Sequence, residues 1–201
     1  MGSYLKTLSL VKKKLNDKSI KKILFLSGKN TFYKTGAKKI FQSISKDKKK
    51  FLYIKNSSYP DFKELQEIIK LKDSINPDLI VAVGGGCVID YAKIACVYKS
   101  EKNLKKKLIY SDYLKNKIKL LVIPTTAGSG AEVTSSAVIY INKIKYSVEG
   151  SELIPDFYSL VPDFLLSSNL KIDASSGFDA ISQAIESIIS RKSTDQSVQF
   201  A

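Results

Sequence analysis

Residues 78–93 read DLIVAVGGGCVIDYAK, and the order of residue types in this stretch decides the fold. The apolar run 79–83 shows no polar alternation, as expected of a strand covered on both faces. Three glycines follow at once, and an apolar helix pattern begins behind them. The stretch therefore reads strand, tight turn, helix. With no Cβ at Gly84, Gly85 or Gly86, backbone amides can close on a phosphate at the positive end of the helix, and the expected guest is a nucleotide pyrophosphate. The pattern is neither G-x-G-x-x-G nor a Walker loop. Taken alone, it equally fits a strand-to-helix turn whose glycines serve packing only.

Working outward, the same alternation recurs. Towards the N-terminus, Leu5, Leu8, Val11 and Leu15 share one helical face over residues 4–15, with Ser3 placed to cap it. Residues 23–26 form a short strand. SGKNTFYKTG then makes a polar turn into a helix through Ile40 and Phe41, residues 51–54 a second strand, and residues 62–71 an amphipathic helix ended by Asn76-Pro77. Towards the C-terminus, a helix over 88–98 and a lysine-rich loop over 99–119 precede a buried strand at 119–123. PTTAGSGAEVT follows, a loop whose hydroxyls and amides suit a polar ligand. Residues 138–141 and 145–148 read as a hairpin about Asn142-Lys143. The segment Leu160-Val161-Pro162-Asp163 closes the α/β portion. From Asn169 the pattern is helical, with Ala180, Ala184 and Ile188 in one row and Ile181, Ile185 and Ile189 in the next. Strands alternating with helices imply an open parallel sheet, with ligands beyond the carboxyl ends of its strands, where Gly28 and the three glycines fall. The expected domains are 1–163, α/β, and 164–201, helical.

The composition of the 201 residues, 44% hydrophobic and 26% charged, is that of a globular protein, and no run of membrane-spanning length or signal peptide is present. The formal charge of +14 invites a nucleic-acid partner, but Arg191 is the only arginine among 33 basic residues, so the bidentate group suited to bases and phosphates is nearly missing. Solvated lysine faces explain the charge without a nucleic acid. Cys87 and Cys96, nine apart on one expected helix, cannot easily pair, which points to a reducing compartment such as the cytoplasm.

GGGCVIDYAK, PTTAGSGAEVT and SGFDAISQAIES resemble, in order and spacing, three signatures of the iron-containing (group III) alcohol dehydrogenases, relatives of glycerol dehydrogenase and dehydroquinate synthase. The resemblance implies a Rossmann-like domain followed by a helical metal and substrate domain, of which roughly half the family's length is here. The N-terminal strand usual before the first helix is expected to be missing too. It further implies that Gly84, Gly85, Gly86 and the amide of Cys87 hold the cofactor pyrophosphate, and that Asp90 lies near the nicotinamide. Thr125, Thr126 and Ser129 would line the adenosine and pyrophosphate groove, with Val138 and Lys145 close to ribose and nicotinamide. Gly28 stands where NAD-preferring relatives carry an aspartate. Glycine followed by Lys29 would not repel a 2′-phosphate, which favours NADP and leaves NAD open.

In the family an aspartate and a histidine one turn apart face a divalent metal; the matching positions are Asp179 and Gln183. The chain has no histidine, and a neutral amide is a poor ligand for iron or zinc. Gln183 resembles a branch assigned to phosphonoacetaldehyde reduction to 2-hydroxyethylphosphonate. The resemblance implies an NAD(P)-dependent oxidoreductase for a small aldehyde or alcohol, with a homodimer left open. Two alternatives stand beside it: a non-catalytic nucleotide-binding paralogue, and a dehydroquinate synthase-like lyase.

Overall fold

The computed structural model describes residues 3–4, 8–113, 117–165 and 170–201. Eight strands occur among these residues: β1 (Ser3–Tyr4), β2 (Lys22–Gly28), β3 (Lys49–Lys55), β4 (Leu79–Gly84), β5 (Lys119–Pro124), β6 (Ser136–Ile141), β7 (Ile144–Glu149) and β8 (Phe157–Tyr158). The helices are α1 (Leu8–Leu15), α2 (Lys29–Lys34), α3 (Ala37–Gln42), α4 (Phe62–Ile75), α5 (Gly86–Val97), α6 (Leu104–Ile109), α7 (Leu170–Ile189) and α8 (Asp195–Phe200). Six strands make one sheet in the order β1-β8-β5-β4-β2-β3, every pairing parallel, while β6 and β7 form a separate antiparallel hairpin.

The unbroken apolar runs of the central strands follow from burial on both faces. In β4, Ile80 and Ala82 join one core with α4, α5 and α6, whereas Leu79, Val81 and Val83 join another with α1, α2 and α3. Leu24 and Leu26 of β2 continue the first core, and Ile23 and Phe25 the second, as the two-residue period of a strand requires. Local chemistry marks the ends: Asp61 accepts from the amides of Lys63 and Glu64 to start α4, and Asn76 enters the left-handed region (φ 49°) to stop it. Asn142 and Lys143 both have positive φ, the primed turn that a two-residue hairpin needs.

Several sequence expectations need correction. Ser3, expected at the start of α1, lies instead with Tyr4 in β1, which pairs with Phe157 and Tyr158, so at least part of the N-terminal strand expected to be missing is present. Leu5 and Asn169 lie outside the described residues. Helix follows β2 without an intervening polar turn, because α2 starts at Lys29 and a break at Thr35-Gly36 separates it from α3. Within the 99–119 stretch, Leu104 and Leu108 are buried and fold the chain into α6, four residues apart on one face. Strand β8 was not anticipated; two residues are too short for a periodic signal.

Candidate functional site

Strands β2 and β4 are neighbours whose onward connections leave in opposite directions, to β3 on one side and β5 on the other. A crevice opens beyond their carboxyl ends at such a point. Gly28 and Gly84 are the last residues of these strands, and α5 begins at Gly86 behind an extended Gly85, with no side chain capping its first turn. The positive end of a twelve-residue helix thus faces the crevice.

The three glycines differ in what they face. A Cβ on Gly84 would lie 2.6 Å from Val88 Cγ2, so this glycine lets α5 pack closely on β4, and its carbonyl accepts from the Thr125 amide at 3.1 Å. At Gly85 a Cβ would point at Thr126, 3.2 Å from Oγ1, and at Gly86 towards Ser129, 3.8 Å from Oγ. The glycine turn and the TTAGSG loop therefore face each other across one crevice. Gly85, Thr125 and Thr126 share a cavity of about 130 Å³ with Asn30, Thr31, Lys34, Thr35 and Ile172. Gly86, Asp90, Ser129, Val138, Lys145, Asp179 and Gln183 share a second one of about 350 Å³, to which Thr134, Ser136 and Glu186 also contribute.

Asp90 projects from α5 towards this larger cavity. Burial pushes its carboxyl well above the ordinary carboxylate range, against the opposing pull of Lys93, the Val138 amide and Lys145. Lys93, one turn along, is fully buried. Its ammonium donates to the Thr134 carbonyl and hydroxyl, both at 2.8 Å, and to the Ser136 carbonyl at 3.0 Å. Burial draws Lys93 below the usual lysine range, with Asp90 pulling the other way. Lys93 ties the helix behind the glycine turn to the chain that follows the threonine loop. Its only sequence signal was a lysine on an otherwise apolar helix face. At Cys87 desolvation pushes the thiol up to about 12, so this side chain is not a thiolate and only its backbone suits a phosphate.

Glu64 is a second residue that sequence reasoning missed. Burial works against its charge, but the Asn56 and Ser57 amides, at 2.5 and 3.0 Å, and the Tyr91 hydroxyl, at 2.9 Å, outweigh that cost, and its carboxyl falls below the usual range. It fixes the turn after β3 against α5.

Helix α7 reaches the crevice beside Gly128, where a Cβ would come within 2.8 Å of the Ser176 carbonyl. It brings Asp179 and Gln183 to the larger cavity, but the Gln183 amide donates to Asp179 Oδ2 at 2.8 Å, so the two side chains satisfy each other. One carboxylate and one amide oxygen, in a chain without histidine, do not match an iron or zinc site, and no group of three histidine, cysteine, aspartate or glutamate side chains suited to a metal occurs among the described residues. The residues present do not fit a resident iron. No helix among the described residues is long and apolar enough to cross a membrane.

Comparison with known proteins agrees with this geometry. An alcohol dehydrogenase from Thermococcus barophilus is 31% identical over 143 residues, covering 67% of this chain and 38% of the relative. The solved NADH-dependent butanol dehydrogenase A of Thermotoga maritima superposes with a TM-score of 0.87 at 21% identity, over 100% of this chain and 52% of that one. Sulfoacetaldehyde reductase from Bifidobacterium kashiwanohense, solved in complex with NAD+, gives 0.80 at 22% identity over 92% of this chain and 50% of its own. These two structural likenesses concern the fold. The chain spans about half the length of these solved relatives. The profile of the family described as iron-containing alcohol dehydrogenase matches residues 5–162, which include the glycine turn and the threonine loop but not α7. The chain belongs to the iron-containing alcohol dehydrogenase family.

Proposed function

We propose that this chain carries the dinucleotide-binding half of an NAD(P)-dependent oxidoreductase that interconverts a small aldehyde and its primary alcohol. The observation behind this reading is the shared crevice: the turn at Gly85 and Gly86 directly opposes Thr126 and Ser129, at the positive end of α5. In this reading residues 1–163 bind the cofactor and 164–201 begin the helical part that covers the substrate. The amides of Gly86 and Cys87, with Thr125, Thr126 and Ser129, hold the pyrophosphate and adenosine. Val138, Lys145 and Asp90 flank the nicotinamide. The bound nicotinamide supplies or accepts the hydride at the carbonyl carbon.

Beside the acidic side chains of Asp179 and Glu186, the larger cavity has one ammonium, Lys145, and an Asp90 carboxyl drawn towards its neutral form. Both lessen the negative charge met by an anionic substrate. Sulfoacetaldehyde reductase, a structural neighbour, acts on an anionic aldehyde, and phosphonoacetaldehyde is the substrate proposed here, giving 2-hydroxyethylphosphonate. Free Cys87 and Cys96 suit the cytoplasm. The Asp179–Gln183 pairing favours a second reading, nucleotide binding without dehydrogenase chemistry. Following absorbance at 340 nm with NADPH or NADH and phosphonoacetaldehyde, sulfoacetaldehyde or butanal separates these readings. Oxidation with the anionic aldehydes ahead of butanal is expected. Tight dinucleotide binding with no net oxidation on any aldehyde would leave the binding reading, or a lyase that uses the cofactor transiently.

A further inference from the structure

We propose that Lys55 selects a 2′-phosphorylated dinucleotide, its ammonium standing beside the position where a carboxylate at residue 28 would receive a free ribose. This rests on the dinucleotide reading above. Gly28 and Lys55 are direct partners in the parallel register of β2 and β3, at the carboxyl ends of both strands. A Cβ on Gly28 would lie 3.8 Å from Lys55 Cε and 3.7 Å from Thr31 Oγ1, both ordinary contacts. The backbone there, φ −81° and ψ 153°, is open to any residue. Neither space nor conformation demands glycine at 28. What glycine does is leave the neighbouring charge uncompensated, since an aspartate so placed would pair with Lys55 and cancel it.

The ammonium is oriented and has capacity to spare. Lys55 is half-buried, its Nζ donates to the Ser57 carbonyl, and it lies by the Cys87 thiol in the first turn of α5. No carboxylate forms an ion pair with it among the described residues. Glu64, which holds the same turn from α4, has its oxygens committed to two amides and the Tyr91 hydroxyl. An ammonium has three N–H groups, so a phosphate oxygen can be received without breaking the Ser57 bond. Lys29, next to Gly28 in sequence, is exposed, and its charge is screened by solvent. A partly desolvated cation held between the end of β2 and the glycine turn is the stronger anion receptor.

Titration of the 201-residue chain with NADPH and NADH by nicotinamide fluorescence tests this, with Lys55→Gln, Lys55→Arg and Gly28→Asp, each checked for folding by circular dichroism. The wild type is expected to prefer NADPH. Lys55→Gln should lower the NADPH-to-NADH affinity ratio about tenfold, the size of one lost charge-assisted hydrogen bond. Lys55→Arg should restore the ratio, and Gly28→Asp should invert it. An unchanged ratio in Lys55→Gln, or equal weakening towards both nucleotides, would show Lys55 to be a strut for the turn and overturn the proposal. A wild type that binds neither nucleotide would remove the dinucleotide reading as well.

Discussion

The β4–α5 unit and helix α7 are both rich in isoleucine and alanine, but they meet opposite fates. Every residue of β4 is buried, and α5 buries nine of its residues, from Val88 to Val97. Helix α7, twenty residues long, buries none; Phe178 is 72% exposed, and Ile181, Ile185, Ile188 and Ile189 are exposed beside it. An apolar stripe marks a face that can be covered, whereas burial needs a partner, and β4 has two layers of helices where α7 has one edge against the crevice. Stability and nucleotide binding should therefore depend on the first region and hardly on the second.

The largest effect that would sharpen this contrast is on stability. Ile80→Ala, at the centre of the sheet, should cost about 3 kcal/mol in urea unfolding through lost burial and the cavity left behind. Ile185→Ala in α7 should stay within about 0.5 kcal/mol, as at an exposed position. Equal losses would mean that α7 is covered in solution. Next in size is binding. Gly85→Val brings a branched side chain against Thr126 and into the phosphate space, and should weaken NADPH at least a hundredfold, about 2.7 kcal/mol, in a fluorescence titration. Asp179→Ala, on α7, should change that affinity by no more than about twofold; a large effect would assign α7 to the cofactor site.

The smallest expected effect is a pH slope. Because the folded-state pKa of Asp90 is raised from 3.8 to about 7, the native chain holds a proton that the unfolded chain has released between those values. Stability should thus fall as pH rises from about 4 to 7. Asp90→Asn should flatten this slope when urea midpoints are compared at pH 5 and pH 8. An unaltered slope would place the carboxyl in water, with Lys93 and Lys145 neutralising it from outside.

Much of the first region was legible in residue order. The runs at 23–26, 79–83 and 119–123 became the central strands β2, β4 and β5 with ends shifted by a few residues, because strands covered on both faces are written as plain apolar runs, and the run at 51–54 became the half-exposed edge strand β3. The Asn142-Lys143 hairpin was equally readable, since its turn is decided by two adjacent residues. Short or paired features were not. Strand β1 exists through pairing with β8, 154 residues away in the chain, and neither two-residue strand has a period of its own. The roles of Lys93 and Glu64 depend on carbonyls, amides and two hydroxyls contributed by other elements.

Residue order alone determined the alternation of strands and helices, the glycine turn and the threonine-rich loop, because each rests on contacts between near neighbours or on solvent exclusion along one run. Tertiary structure decided which glycine does what: Gly84 serves the packing of Val88, Gly85 and Gly86 face Thr126 and Ser129, and Gly28 lies beside Lys55. It also left the apolar face of α7 uncovered. These outcomes depend on where distant segments come to rest, and a side chain's neighbours across a crevice are set by the packing of whole elements, which no local pattern encodes.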